Sequence, residues 1–127
     1  MLYLDALTKI RNAQAAQQET VKFPFSNFTL AILEALEKNR FVESVSKKGR
    51  APKRYLEVRL KYKNGKGAIG GMKILSTPSR RLYVGYGELK PVRQGFGVSV
   101  ISTPKGVLDN KTARREKVGG QLLFEVW

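Results

Sequence analysis

The chain has 127 residues, of which 24 are lysine or arginine and 10 are aspartate or glutamate, giving a formal net charge of +14. It contains no cysteine and no histidine, which excludes disulfides, cysteine-ligated metals and the commonest general base at neutral pH. Hydrophobic residues make up 42% of the sequence, enough for a folded core, yet no apolar run approaches the ~20 residues of a membrane helix. The first residues do not predict secretion, because they show no basic segment followed by an apolar stretch.

A helix is predicted over residues 2–16, because leucine and isoleucine recur about one turn apart. Arg11 and Asn12 lie on its polar side, where they are either solvated or in contact with a phosphate or a partner's backbone. The short stretch 20–25 then predicts an edge strand or a connector, since it ends at a proline.

A second helix is predicted to begin at Ser26 or Asn27, either of which can cap it. It runs to Asn39, which can close it in a left-handed conformation. Its apolar face, which includes Phe28, is broad, and a broad face indicates that this helix covers a sheet.

An antiparallel sheet is predicted after the second helix. Apolar and polar residues alternate there, and Asn64-Gly65 is a strong hairpin signal because both residues tolerate positive φ. The predicted strands are 41–48, 55–63 and 68–75.

The turn at 47–54 is predicted to be an exposed basic finger, in which lysine and arginine surround Gly49 and Pro52. Lys53 and Arg54 are its candidates for phosphate contact. Such contacts position a protein on nucleic acid but do not read its sequence or shape, so this turn is weak evidence for specificity.

The segment 76–81, which ends in Arg80 and Arg81, breaks the alternating pattern and is a candidate linker. We therefore predict an α+β chain of two small domains. An N-terminal helix–strand–helix–sheet domain spans 1–76, and a C-terminal, mainly β domain with a short helix spans 77–127.

The second half is predicted to be rich in short strands and basic turns. Asp109 or Asn110 can cap its short helix. The predicted strands are 82–86, 98–102 and 122–127, with Leu122, Phe124 and Val126 on one face of the last.

Three aromatic residues lie among those basic turns, where a ring either packs in the core or stacks on a base. Tyr83 and Phe96 adjoin apolar runs, so we expect them to pack in the core. Tyr86 lies between two glycines and is equally open to either role.

The stretch 101–108 follows an apolar strand with two hydroxyl residues, a proline, a lysine and a glycine. Ser102 and Thr103 offer donors and acceptors, Lys105 adds charge, and Gly106 lets another backbone come close. The stretch is either an ordinary turn whose hydroxyls bond their own backbone or the specific part of an RNA-binding surface.

Catalytic and cofactor motifs have no support in the sequence. The glycines at 95–97 lack the third glycine of a dinucleotide fingerprint, and residues 70–73 lack the spacing of a P-loop. Ser102 has no histidine to activate it, and nothing supports a dyad with Lys105. We therefore predict no enzymatic activity, no cofactor and no metal site.

The excess positive charge lies almost entirely after residue 40. Residues 1–40 carry five basic and four acidic residues (+1), whereas 41–127 carry 19 and six (+13). This asymmetry predicts a polyanionic partner. Nucleic acid is favoured over a membrane surface, because the basic residues lie in strands and turns and not on an amphipathic helix. A nonspecific duplex-binding architectural protein remains the alternative.

Motifs in a fixed order along the whole chain resemble one known family. Leu-Thr-Lys-Ile-Arg-Asn-Ala at 7–13 stands near the start, and Ile-Ser-Thr-Pro-Lys-Gly-Val at 101–107 stands in the second half. Ala113-Arg114, Val-Gly-Gly-Gln-Leu-Leu at 118–123 and a terminal Val-Trp follow. Together they resemble the bacterial-type small-subunit ribosomal protein S-eight (S8) family.

This resemblance implies a structural protein of the small ribosomal subunit whose C-terminal domain contacts a helical junction in the central domain of 16S ribosomal RNA. It also implies early action in subunit assembly, neighbouring ribosomal proteins as partners, and a place in the cytoplasmic ribosome or its organelle equivalent. In some members it implies repression through the protein's own operon messenger RNA. The RNA-contacting residues it implies are Ser102, Thr103, Lys105, Gly106, Gly119, Gly120 and Gln121.

The chain departs from the family pattern at several points. Pro104 stands where serine is usual, which removes a hydroxyl and stiffens the loop. Gln121 stands where glutamate is usual, which keeps an acceptor but drops the charge. Residues 77–80 replace a usual Ser-Lys-Pro-Gly.

Overall fold

The computed structural model describes residues 2–127, with side chains from Leu4 onward. It falls into two units, Met1–Ile69 and Gly70–Trp127, and combines helices with antiparallel sheets, so the predicted α+β class is confirmed. This division precedes the expected boundary after residue 76. None of the helices within 2–127 is long and apolar enough to span a bilayer.

The first unit is a three-stranded antiparallel sheet accompanied by two helices, with strand order β1-β3-β2. Every second residue of β3 is buried, and Ile10 of α1 and Ile32 of α2 are also fully buried. The elements are α1 Leu2–Ala15, β1 Thr20–Pro24, α2 Asn27–Lys38, β2 Val42–Lys48, β3 Tyr55–Leu60, β4 Tyr62–Lys63 and β5 Lys66–Gly67.

The second helix begins as predicted, because the Ser26 hydroxyl accepts a hydrogen bond from the Thr29 N–H. Its end differs from the prediction. Asn39 has φ −93° and bonds the Ala35 carbonyl through both its backbone and side-chain nitrogens. The left-handed residue is therefore the next one, Arg40, with φ 65°. Phe28, expected on the buried face, is exposed.

The hairpin predicted at Asn64-Gly65 is confirmed, with φ of 54° and 77° at its two central residues and pairing between β4 and β5. The strand predicted over 68–75 is present only at Met72–Ile74, and its predicted pairing within the first sheet is wrong. The N–H groups of Gly70 and Gly71 both donate to the Trp127 carbonyl, which aligns the following residues with the C-terminal strand of the second unit.

The second unit is an antiparallel sheet of order β6-β10-β8-β9, with β7 also pairing with β10. A buried cluster of Leu89, Ile101 and Ala113 packs α3 and the end of the 3-10 turn at Tyr86–Glu88 against one face of this sheet. The elements are β6 Met72–Ile74, β7 Tyr83–Val84, β8 Val98–Thr103, β9 Gly106–Asp109, α3 Asn110–Arg115 and β10 Gly120–Val126, with 3-10 turns at Tyr86–Glu88 and Arg93–Gly95.

The last strand, β10, does not alternate as predicted. Its register against β8 shifts between Leu122 and Phe124. As a result Leu123 and Phe124 are both buried, whereas Leu122 packs against the Ile101 cluster. A β-bulge of this kind adds one residue to one strand, and a strict period of two cannot reveal it.

The candidate linker at 76–81 is an ordered turn. Ser76 is fully buried; its hydroxyl donates to the Leu122 carbonyl and accepts from the Leu82 N–H. The backbones of Thr77 and Arg80 are hydrogen-bonded to each other in both directions. This segment therefore belongs to the second unit and fixes the approach to β7.

Candidate nucleic-acid interface

The stretch after Ile101 is a tight hairpin between β8 and β9, in which Thr103 pairs with Gly106. Pro104 and Lys105 form the turn, and the restricted φ of proline suits its first central position. Gly106 has φ 115°, a conformation that favours glycine. The Thr103 hydroxyl donates to the Gly106 carbonyl over 2.7 Å and accepts from the Lys105 N–H over 3.1 Å.

The hydroxyl groups of Thr103 and Ser102 differ in their hydrogen bonding within this hairpin. The Thr103 hydroxyl bonds the backbone of its own turn, which is the ordinary role that such a residue has there. The half-buried Ser102 hydroxyl has no hydrogen-bond partner among the side chains and backbone of residues 2–127 that the structure describes. Ser102 therefore keeps both donor and acceptor available.

The double glycine before β10 lies between two other backbone segments. A Cβ on Gly120 would overlap the Ser102 carbonyl, and a Cβ on Gly119 would overlap the Val84 carbonyl. Only glycine lets all three segments approach this closely. The 119–121 segment is thereby held directly against the hairpin on one side and β7 on the other.

A row of three side chains crosses the sheet at this point. Gln121 pairs with Ser102 on β8 and with Tyr83 on β7. Residues directly opposite each other in antiparallel strands project to the same face. This polar row of Ser102, Gln121 and Tyr83 therefore faces away from the Ile101 and Leu122 side chains, which pack in the cluster with α3.

Two expectations about aromatic residues are wrong. Tyr83 is 64% exposed and Phe96 is 85% exposed, although both were expected in the core. Val84 packs against the buried cluster, so alternation along β7 turns Tyr83 outward. That alternation is the signal in the sequence from which the exposure of Tyr83 could have been predicted. Around Phe96, Val92 and Gly97 take the buried positions.

The remaining second-unit candidates lie close to β7 in the chain. Tyr86 is 44% exposed at the start of the 3-10 turn, which the Glu88 carboxylate holds by accepting from the Gly85 N–H. Arg80 and Arg81 are exposed immediately before β7. Of the predicted site residues that the structure describes, seven come together where the hairpin meets the 119–121 segment: Ser102, Thr103, Lys105, Gly106, Gly119, Gly120 and Gln121.

The first-unit candidates stand on separate elements of that unit. Arg11 and Asn12 are exposed on α1, and Lys53 and Arg54 are exposed in the turn between β2 and β3. The expected exposure of this basic turn is confirmed along the whole of residues 47–54.

Exposed cations lie in the hairpin turn and on α3. Lys105 is exposed in the turn, and Arg114 and Arg115 are exposed on α3 next to the exposed Glu116, whereas the Asp109 carboxylate is buried and bonded to the Thr112 N–H and hydroxyl. Across residues 2–127 no three carboxylates converge as a metal site. The arrangement can therefore attract phosphates and donate or accept hydrogen bonds, and it offers no activated nucleophile.

Comparison with known proteins gives a consistent result over the whole chain. A family model described as Ribosomal protein S8 matches residues 3–127. A small ribosomal subunit protein uS8 from Kosmotoga olearia is 43% identical over 127 residues, covering 97% of this chain and 95% of the relative. Proteins of the same name from Desulfovibrio desulfuricans and Erythrobacter litoralis are 41% and 40% identical, each covering 97% of this chain and 94% of the relative.

Proposed function

Because this chain belongs to the ribosomal protein S8 family, we propose that it binds small-subunit ribosomal RNA directly through the hairpin and the polar row of its second unit. The protein is a structural constituent of the small ribosomal subunit and not an enzyme. Its location is the ribosome, in the cytoplasm or in the equivalent organelle compartment.

The observation that carries this proposal is the packing of three backbone segments that fixes Ser102, Gln121 and Tyr83 in one row. A-form RNA has a wide, shallow minor groove lined by 2′-hydroxyls. Short hydroxyl and amide side chains on one face of a rigid sheet can reach that surface, and an exposed tyrosine beside them can stack on an unpaired base. The turn of Thr103 to Gly106 follows directly after Ser102 at the end of β8.

Basic residues supply the affinity in this proposal. Lys105, Arg80 and Arg81 would contact phosphates around the row. In the first unit, Lys53 and Arg54 together with Arg11 and Asn12 would contact phosphates or their neighbourhood. Each neutralised phosphate releases counterions, so these contacts strengthen binding without specifying the site.

The finer assignment follows the family pattern carried by residues 101–107 and 118–123. We infer that the RNA site is an irregular helical junction in the central domain of 16S ribosomal RNA, that the protein acts early in small-subunit assembly, and that it adjoins other small-subunit proteins. Messenger RNA of its own operon would bind the same surface where it forms the same fold, and would then compete with ribosomal RNA.

A binding experiment with full-length small-subunit RNA and excess random duplex at moderate salt tests the proposal. We expect the purified protein to stay bound to the ribosomal RNA and to protect one irregular helical element of its central domain from hydroxyl radicals. Ready displacement by random duplex, without a localised footprint, would instead establish the nonspecific architectural role, which accounts for the charge but not for the packed row.

A further inference from the structure

The loop between Val92 and Gly97 presents Phe96 with 85% of its surface exposed, the highest value among the exposed large hydrophobic residues within 4–127. Strand β8 begins directly after this loop and ends at the 102–106 hairpin. Phe96 therefore lies at the opposite end of β8 from the polar row, and the RNA contact proposed above does not use it.

The loop is braced at its base. Val92 and Gly97 form a backbone bridge, and the Val92 carbonyl accepts from the N–H groups of Gly95 and Gly97 over 3.0 and 3.1 Å. The Arg93 guanidinium lies 4.0 Å from the centre of the Trp127 ring. Phe96 is thus held on a fixed backbone, which lowers the entropy lost when its ring is bound.

Three successive residues of the loop are left-handed, with φ of 50° at Arg93, 57° at Gln94 and 96° at Gly95. Arg93 and Gln94 adopt this conformation against the steric preference of residues that carry a Cβ. Backbone outliers of this kind concentrate at binding sites, where the surrounding structure holds them in place.

A cationic cavity of about 240 Å³ lies against the same loop. Lys90, Lys111 and Arg114 line it together with Gln94, and the lining residues described there include no carboxylate. The Lys111 ammonium donates to the Gly95 carbonyl over 3.3 Å and so connects the cavity to the loop. The cavity has room for several water molecules, each about 30 Å³ in the liquid, and hence for a phosphate group.

We propose that this loop and cavity form a second RNA contact, in which the Phe96 ring stacks on an unpaired base while Lys90, Lys111 and Arg114 hold an adjacent phosphate. An exposed ring beside a cationic groove is the combination that binds unpaired nucleotides. The inference rests on the proposed function, because its partner is the same small-subunit RNA at a second point.

Photo-crosslinking of the full-length chain tests the contact directly. A Phe96→p-benzoylphenylalanine variant is bound to full-length small-subunit RNA and irradiated. We expect a crosslink to an unpaired nucleotide that lies outside the region whose protection requires a higher protein concentration after Ser102→Ala substitution. A variant that binds this RNA normally but gives no crosslink to it would overturn the inference.

Substitutions then separate stacking from other roles. Phe96→Ala and Phe96→Leu should both weaken binding of this RNA about fivefold to a hundredfold, whereas Phe96→Trp should retain it. Lys111→Gln should weaken binding more than Lys66→Gln, which removes the same charge from the β4–β5 hairpin. Because Phe96 is exposed, folding should be unchanged, and a thermal melt checks this.

Other results contradict the inference in distinguishable ways. If Phe96→Leu binds as the wild type does, the ring does not stack. If Phe96→Ala leaves RNA binding unchanged but reduces incorporation into reconstituted subunits, the loop contacts a protein. In either case the footprint at the Ser102 site would leave the proposed function standing. If the wild-type chain itself fails to bind small-subunit RNA selectively, the proposed function fails instead.

Discussion

The two adjacent hydroxyl residues, Ser102 and Thr103, lie in different environments, and the sequence did not predict this difference. The Thr103 hydroxyl is bonded within its turn, whereas the Ser102 side chain lies in the polar row opposite Gln121. The sequence predicts a turn here, and the family resemblance points to RNA contact. Which of the two residues lies in the turn and which lies in the polar row depends on the pairing register of β8. Composition and spacing do not determine that register.

Replacing Thr103 with valine should lower the free energy of unfolding by about 1–2 kcal/mol, because valine keeps the shape but loses both hydrogen bonds of the turn. Thr103→Ser, which keeps the hydroxyl, is the matched control and should be close to wild type. Urea unfolding followed by fluorescence of the single tryptophan, Trp127, checks both. A valine variant as stable as the wild type would mean that the hydroxyl does not hold the turn.

Replacing Gly120 with alanine should destabilise the second unit by roughly 1–3 kcal/mol and weaken RNA binding beyond that loss, because the new Cβ must push the Ser102 carbonyl and the hairpin aside. The control is Gly87→Ala, where an added Cβ meets nothing within 4 Å. Thermal melts and RNA titrations measure the two effects. If Gly120→Ala and Gly87→Ala had the same melting temperature and the same RNA affinity, close backbone approach at Gly120 would be shown to be unimportant.

At the scale of secondary-structure elements, the sequence predicted features that depend on neighbouring residues, but it did not predict which strands pair. The caps at Ser26 and Asp109 and the Asn64-Gly65 turn are local patterns, and the structure contains all three features. Strand β6 was expected to pair within the first sheet, but it pairs with β10, which lies about fifty residues further along the chain. Pairing over such distances depends on the tertiary fold and leaves no local signal.

Helix α3 should depend on its cap, because the Asp109 carboxylate accepts from the Thr112 N–H over 2.8 Å. Asp109→Ala should lower the free energy of unfolding by about 1–2 kcal/mol, whereas Asp109→Asn keeps an acceptor at the cap and should lose less. Tryptophan fluorescence during urea unfolding gives both values. The cap would be shown to be unimportant if the alanine and asparagine variants were equally stable.

At the scale of the whole molecule, net charge is the sequence property that most clearly predicted the class of partner. The excess after residue 40 predicted a polyanionic partner, and membership of a ribosomal protein family agrees with it. Charge alone could not locate the proposed RNA-binding surface, because basic residues are spread over both units. The polar row became visible only once β7, β8 and β10 were paired.

The basic turn should contribute affinity without selectivity. Replacing Lys53 and Arg54 together with glutamine should weaken binding to small-subunit RNA and to random duplex alike, and should reduce the salt slope by about 0.7–0.9 for each phosphate that the variant no longer neutralises. Replacing Lys63 and Lys66, on the β4–β5 hairpin, removes the same charge as a control. Titrations at several salt concentrations provide the slopes. A weakening confined to ribosomal RNA would show that this turn reads the site.

The most direct test of the proposed RNA-binding surface is the affinity of the Ser102→Ala variant for small-subunit RNA and for random duplex, measured side by side. Removal of one specific hydrogen-bonding group should cost about 1–2 kcal/mol on the ribosomal RNA, roughly a fivefold to thirtyfold weakening. Binding to random duplex and the melting temperature should be unchanged. Equal weakening on the two RNAs, or none on either, would contradict the assignment of this surface.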